Sequence, residues 1–337
     1  MAKIGQRSGA AATAMLGLGV YRPARVVTND EICEVLDSSD EWIQTRSGIR
    51  TRRYAAEDET LVDMATHAAR AALDVAQVTA DELGAVIVAT STHAQHTPAA
   101  APLVADRLGS RAASFDVSAG CAGFCHALSV ASDLVRGGSA RFVLVIGVEK
   151  LSLFLDPTDR STAFIFADGA GAVVVGPADE AGIGPVAWGS DGSQSHVITQ
   201  EPGCQDRESD HPMVVRMEGT AVFRWAPFAM ADVAREAVDG AGLTMSDLDA
   251  FIPHQANLRI TETLARNLKL PDSLAIARDV RDSGNTSAAS VPLAIEAMLR
   301  NGEANAGDTA LLIAFGAGLS YASQVVTLPP VGAPESA

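Results

Sequence analysis

Apolar positions along this chain fall into short runs that alternate with stretches of helical spacing. Ala85-Val86-Ile87, Phe142 to Ile146, Asp249 to Ile252 and Ala310 to Ala314 read as buried strands. Arg70-Ala71-Ala72-Leu73-Asp74 and Arg235-Glu236-Ala237-Val238-Asp239 read as amphipathic helices that lead into strands. Leu134-Val135-Arg136-Gly137-Gly138 and Leu299-Arg300-Asn301-Gly302 each end a helix on glycine before the next strand. Short, continuous apolar strands between helices predict mostly parallel sheets covered on both faces.

The pattern also repeats. The segment from Arg70 through Val78-Thr79 and Leu83 to Ile87 is matched, about 165 residues on, by Arg235 through Leu243-Thr244 and Leu248 to Ile252. The two Gly-stopped helices and their strands match at nearly the same spacing. Two matches in order argue for a duplicated α/β unit, with halves at residues 14–178 and 217–330. The intervening segment 179–216, rich in Gly, Ser and charge, is expected to form surface loops. The repeat sets Cys121 opposite Asn285. Each follows a strand-like stretch (Ala113 to Val117; Ala275 to Val280) and precedes a helix (from Ala122; from Thr286). Open α/β sheets bind ligands beyond the carboxyl ends of their strands, so pseudo-symmetry would bring both residues to one central cleft.

With 337 residues, 47% of them hydrophobic, the chain can bury a large core, and its length suggests roughly two domains. The net charge of −16 opposes nucleic acid and anionic membranes. An acidic partner would therefore need a local basic patch. No apolar run approaches the ~18 residues of a membrane span. Met1 to Ala14 carries Lys3 and Arg7 with no long apolar stretch after them, which suggests a polar lead-in rather than a secretion signal. Four cysteines do not make a disulfide framework in a chain this long, and the expected compartment is the cytoplasm.

Cys121 lies in Phe115-Asp116-Val117-Ser118-Ala119-Gly120-Cys121-Ala122-Gly123-Phe124, where small neighbours leave room for a substrate. A helix start there would favour the thiolate; the competing reading is a buried structural cysteine. Cys125, one turn deeper, fits that second reading, and Cys33 and Cys204 lack an activating context. Cys121 and Cys125 have no second ligand pair for zinc. His254 ends a strand just after Pro253, a position that faces a cleft. His93 and His96 have no carboxylate or Cys beside them, so no metal site is expected. His67, His126, His196 and His211 read as surface or packing residues. Asn285, in Ser283-Gly284-Asn285-Thr286-Ser287-Ala288-Ala289-Ser290, is either a site residue or a helix cap. The glycine-rich stretches fit no nucleotide fingerprint. The free amides of Phe315-Gly316-Ala317-Gly318, after a buried strand, could bind an oxyanion.

Four segments together resemble a known family, the β-ketoacyl-acyl carrier protein synthases III. They are Ser39-Asp40-Glu41-Trp42-Ile43 with Arg46-Ser47-Gly48-Ile49-Arg50; Asp116 to Phe124; Asp156-Pro157-Thr158-Asp159-Arg160; and Pro253-His254-Gln255-Ala256-Asn257-Leu258-Arg259 with Gly284-Asn285-Thr286-Ser287. The resemblance spans about Ala14 to Pro329. It implies a thiolase-like five-layered αβαβα fold built from two duplicated halves, and a homodimer. The implied reaction joins an acyl-CoA to malonyl-acyl carrier protein with loss of CO₂. By position, Cys121 is the nucleophile, and His254 and Asn285 complete the triad. Trp42 and Arg160 would clamp the adenine of CoA, while Arg46, Phe223 and Asn257 would line its tunnel. The amides of Cys121 and Ala317 would form the oxyanion hole, and Phe315 would gate the acyl pocket. Arg224, Arg259 and Arg266 would receive the acidic carrier protein. Gly120 stands where the family more often has Ala, and Ser161 and Ala317 where it more often has Gly.

These roles agree with the chemistry. Thioester exchange needs a thiolate and an oxyanion hole. Loss of CO₂ leaves an enolate, which neutral His and Asn can stabilise by N–H donation. No metal or organic cofactor is required. Rival readings are a starter-unit enzyme of an aromatic polyketide pathway, an acyl transferase to a hydroxyl without condensation, and a non-catalytic partner subunit. The last would lack the nucleophile that Cys121 supplies. Thr92 to Pro98 aligns with a family loop that reaches into the partner's acyl pocket. Gln95, His96 and Thr97 there are not bulky aromatics, which implies a pocket that accepts more than acetyl.

Overall fold

A computed structural model describes residues 4–5, 7–203 and 212–332. The first half runs β1 (Ala12–Tyr21), β2 (Arg25–Thr28), α1 (Asn29–Cys33), α2 (Asp40–Ser47), β3 (Thr51–Tyr54), α3 (Leu61–Ala76), β4 (Leu83–Ala89), α4 (Ala100–Leu108), β5 (Ala113–Val117), α5 (Gly123–Arg136), β6 (Phe142–Lys150) and β7 (Asp168–Ala178). The second runs β8 (Ala187–Ser190), β9 (Ile198–Glu201), β10 (Val214–Met217), α6 (Gly219–Gly240), β11 (Ala250–Pro253), α7 (Leu258–Leu268), β12 (Ala275–Ile276), α8 (Val280–Ser283), α9 (Ser290–Arg300), β13 (Thr309–Gly316) and β14 (Ser320–Thr327).

One sheet has the order β1-β7-β6-β4-β5, and the other has β8-β14-β13-β11-β12. The orders are the same, strand for strand, so the sequence repeat is a structural duplication. Helices α3 and α4 cover the outer face of the first sheet, and α6 and α7 that of the second. Helix α5 packs between the sheets against β4, β6, β7, β13 and β14, and α9 beside it contacts β1, β7 and β11. Their apolar faces and the inner faces of both sheets form one central core, which includes Phe124, Leu128, Val145, Val173, Ile252 and Leu312. The result is five layers, αβαβα.

Two expectations are corrected. The sheets are mixed rather than mostly parallel: β4 pairs in parallel with β5 and β6, while β7 runs antiparallel to β6 and β1. The second sheet does the same through the β13–β14 hairpin. An unbroken apolar run reports burial on both faces, not strand direction. The segment 179–216 is more than loops. It holds β8, the counterpart of β1, which pairs with β14 at the sheet edge. It also supplies β9, which pairs with β10. Strand β8 buries only Ala187 and leaves Trp188 and Ser190 exposed, which removes the hydrophobic signature.

The halves meet closely. A Cβ on Gly147 of β6 would lie 2.3 Å from the carbonyl oxygen of Ala288. A hydrogen there lets the turn Ser287–Ala289, from the second half, rest on a strand of the first.

Candidate active site

A cavity of about 130 Å³ opens where the carboxyl ends of the two sheets face each other, and Cys121, His254, Asn285, Ser287 and Phe315 all line it. Cys121 sits in a single tight turn, Gly120–Ala122, from which α5 begins. Gly120 has φ +52°, a left-handed conformation that suits glycine. A side chain on Gly316 would put its Cβ 2.6 Å from the Cys121 nitrogen and 2.8 Å from the Cys121 Cβ. The β13–β14 turn therefore lies directly on the nucleophile, with the Ala317 amide beside it. A Cβ on Gly120 would in turn lie 3.2 Å from that of Ala317. Two of the three departures from the family pattern thus face each other, with one methyl group between them.

The helix start favours a Cys121 thiolate, and its surroundings oppose that. Burial pushes the thiol up to about 12, a hydrogen bond from Ser287 lowers it, and the carboxyl group of Glu149 adds to the rise. Burial lowers the His254 imidazole to about 3, so it is neutral at physiological pH. Its backbone continues β11 alongside β13, with N–H donated to the Ile313 carbonyl at 2.7 Å. Its Nδ1 lies 2.6 Å from Ser290 Oγ, which also accepts the Gln255 N–H at 3.3 Å. When the Ser290 hydroxyl donates its hydrogen to Nδ1, the ring proton is on Nε2, which is then free to donate. Phe315 is buried and meets the imidazole edge-on, with centroids 5.5 Å apart.

Asn285 precedes the turn Ser287–Ala289 rather than a helix, and α9 starts only at Ser290. The stretch before it pairs with β11 over just Ala275 and Ile276. Its own N–H and C=O bond Ile165 and Ala167, both at 2.9 Å. Its Oδ1 accepts the Ser287 N–H at 2.8 Å. That local bond is the cap-like one foreseen for Asn, and it commits the carbonyl end so that Nδ2 is the end left to donate.

At the surface, the Arg160 guanidinium stands 5.1 Å from the Trp42 ring centroid, and that of Arg46 5.7 Å from the same ring. The two halves of the expected clamp are together but stacked on each other, so a base would have to enter between them. Asn257 is the N-cap of α7, its Oδ1 2.9 Å from the Arg259 N–H, and its Nδ2 donates to the Arg46 carbonyl. Arg259 lies over Phe223 at 5.0 Å. Arg224, Arg259 and Arg266 are exposed on the packed pair α6 and α7, and among the described residues none of them is ion-paired. None of Trp42, Arg46, Arg160, Phe223, Asn257 or these arginines borders the cavity itself, and neither does Thr97, which is exposed. Cys125 is core, as expected, and His126 stacks on Trp188. Cys204 and His211 lie outside the described residues.

Comparison with known proteins settles the family. Residues 115–192 match the family described as 3-oxoacyl-[acyl-carrier-protein (ACP)] synthase III, and residues 238–328 match its C-terminal part. The chain is 56% identical to a β-ketoacyl-[acyl-carrier-protein] synthase III of Mycobacteroides abscessus, over 98% of this chain and 99% of that one. It belongs to the β-ketoacyl-acyl carrier protein synthase III family. A synthase III of Streptomyces glaucescens is 55% identical over 98% of this chain and all of its own length. Among solved structures, the priming β-ketosynthase of the R1128 polyketide biosynthetic pathway superposes with a TM-score of 0.94. It is 46% identical, and the match covers 97% of this chain and 99% of that one. The fold is thus that of the thiolase-like condensing enzymes.

Sequence reasoning missed several wall residues. Ile198, Thr199 and Gln200 of β9 and Val215 and Met217 of β10 line the cavity from the supposed loop segment. Ser287 and Ser290 stood in the Asn285 motif but were given no role of their own. Glu149 carried a signal: an acidic residue at the end of an otherwise apolar, wholly buried strand.

Proposed function

We propose that Cys121, His254 and Asn285 carry the reaction of this enzyme, the decarboxylative condensation of an acyl-CoA with malonyl-acyl carrier protein that starts fatty-acid synthesis. The observation that supports this is the convergence of the three on one cavity from both halves of the duplication. Sγ of Cys121 attacks the thioester carbonyl of acyl-CoA, and the amides of Cys121 and Ala317 receive the negative charge on its oxygen. With a thiol near 12, the proton leaves sulfur as the bond forms rather than beforehand. CoA departs as its thiol, and the acyl group stays on Cys121. Malonyl-acyl carrier protein then loses CO₂. The enolate oxygen accepts N–H from His254 Nε2 and Asn285 Nδ2, neither of which carries a repelling charge. The enolate carbon attacks the acyl thioester, the carbon–sulfur bond breaks, and the departing Cys121 thiolate takes a proton from water to restore the thiol. This scheme uses no metal or organic cofactor.

Trp42 and Arg160 would hold the adenine, with Arg46, Phe223 and Asn257 along the path inward. Arg224, Arg259 and Arg266 would dock the carrier protein. The curated synthases III are 56% and 55% identical, above the 46% of the polyketide-priming enzyme, which favours the fatty-acid role. The acyl end is walled by Leu151, Phe166, Ile198, Val215 and Val222, an apolar lining suited to chains beyond acetyl. The working unit is a homodimer, with Thr97 reaching the partner's pocket. Among the described residues no helix is long and apolar enough to cross a membrane, in keeping with an enzyme of the cytoplasm.

Half-reactions test the triad. Cys121→Ala should lose condensation and still release CO₂ from malonyl-acyl carrier protein. Asn285→Ala should load an acyl group, seen by intact-protein mass, but release CO₂ on the order of a hundredfold more slowly. Wild-type CO₂ release by Asn285→Ala would reduce the site to Cys121 and His254.

A further inference from the structure

Glu149 is fully buried at the end of β6, behind the wall that carries Cys121 and Asn285. Its carboxyl oxygens accept hydrogen bonds from two segments distant in sequence. From the stretch after β4 come the Thr90 hydroxyl at 3.1 Å, the Ser91 N–H at 3.1 Å, the Ser91 hydroxyl at 3.0 Å and the Thr92 hydroxyl. From the second half comes the Ser287 hydroxyl at 3.1 Å. A buried acid without an Arg or Lys partner is costly, and one satisfied only by hydroxyls and an amide survives where it organises them. Three of its partners, Ser91, Thr92 and Ser287, line the cavity.

Ser287 is the key contact. It is a non-glycine residue with φ +48°, a conformation that needs support from its surroundings. Its side chain is tied to Glu149, and its backbone N–H is the donor that fixes Asn285 Oδ1. Release of the hydroxyl would free the strained turn, and with it the end of the Asn285 carboxamide that must face away from the enolate.

We propose that Glu149 is a positioning residue for the decarboxylation step: through Ser287 it holds the Asn285 carboxamide with Nδ2 toward the reacting oxygen. This rests on Asn285 being the enolate donor. The inference is specific to one half-reaction, because acyl loading uses the amides of Cys121 and Ala317 rather than Asn285.

The test uses the full-length protein with Glu149→Gln, which keeps shape but turns one acceptor into a donor facing the Ser91 N–H. Misplacement of a reacting group by a fraction of an ångström to about 1 Å costs ten- to hundredfold. The kcat for CO₂ release should therefore fall by about tenfold or more, with KM for malonyl-acyl carrier protein within about twofold and acyl loading within about threefold. Ser287→Ala should slow CO₂ release by a similar factor, and in that step the double variant should fall no further than the worse single, since both cut one link. Acyl loading by Ser287→Ala should slow as well, because the Ser287 hydroxyl also bonds Cys121. If Glu149→Gln does not fold, Glu149→Asp, which draws the carboxylate back from Ser287, takes its place with the same expected split. Equal losses in both half-reactions would make Glu149 a packing residue and overturn the proposal. So would wild-type CO₂ release by Glu149→Gln while Asn285→Ala remains slow. If Asn285→Ala itself released CO₂ normally, the underlying reading of Asn285 would fail, and the positioning role with it.

Discussion

Cys121 shows how much a residue's neighbourhood outweighs its position on a helix. The start of α5 favours an anion, yet the thiol is held near 12 by burial and by Glu149. A helix terminus contributes at most ~2 kcal/mol, roughly one and a half pH units, which burial exceeds. The pKa is raised, so the thiolate fraction below 12 climbs with pH. The rate of Cys121 alkylation by iodoacetamide, mapped by peptide mass, should rise about tenfold per pH unit from pH 7 to 10 without levelling. A plateau near pH 7 would show an ionised resting nucleophile. The identities of Cys121, His254 and Asn285 were legible in the sequence because their motifs are compact. Their protonation states were not, because desolvation depends on residues far away in the chain, such as Ser287 and Glu149.

At the level of elements, the placing of Asn285 depends on how closely the turn Ser287–Ala289 approaches β6. A methyl group on Gly147 would meet a backbone carbonyl at 2.3 Å, which no rotamer change relieves. Gly147→Ala should destabilise the fold by about 1–3 kcal/mol, seen as a lower urea midpoint. It should also slow CO₂ release more than acyl loading, because Asn285 moves with the turn. Equal stability and equal rates would show that the halves can separate without consequence. The helices and central strands were readable from periodicity, as the repeat at Arg70 and Arg235 showed. Strand β8 was not, since an edge strand with one buried position looks like a loop. Strand β12 was overextended: Arg278 and Asp279 interrupt the stretch from Ala275 to Val280, and only Ala275 and Ile276 pair with β11 before α8 begins.

For the whole molecule, the net charge of −16 sets the terms of recognition. An acidic carrier protein is repelled overall, and on the proposed reading it docks on exposed Arg224, Arg259 and Arg266, which make no ion pair among the described residues. Arg259→Ala should raise KM for malonyl-acyl carrier protein severalfold and leave acyl-CoA loading nearly intact. Added salt should raise the wild-type KM too, because exposed charges are screened beyond ~10 Å at 0.1 M. Equal damage to both half-reactions would place Arg259 on the CoA path instead. Strand β5 ends the first sheet, pairs with β4 alone among the described residues, and exposes Phe115. An uncovered edge of this kind invites a second strand. Sedimentation at assay concentration should show a dimer, and Phe115→Lys should weaken it and lower activity together. A fully active monomer would refute the dimeric unit.

The sequence by itself determined the duplicated α/β architecture, the family, and the three residues that meet in the cavity. Those properties are written in local patterns: periodicity, glycine stops and short motifs, each of which needs only a few neighbouring residues to be read. Only the tertiary structure decided the mixed strand directions, the cavity wall supplied by β9 and β10, the burial that raises the thiol and lowers the imidazole, and the tie from Glu149 through Ser287 to Asn285. Each of these depends on groups brought together from distant parts of the chain, where burial and hydrogen-bond geometry, not residue type, set the chemistry.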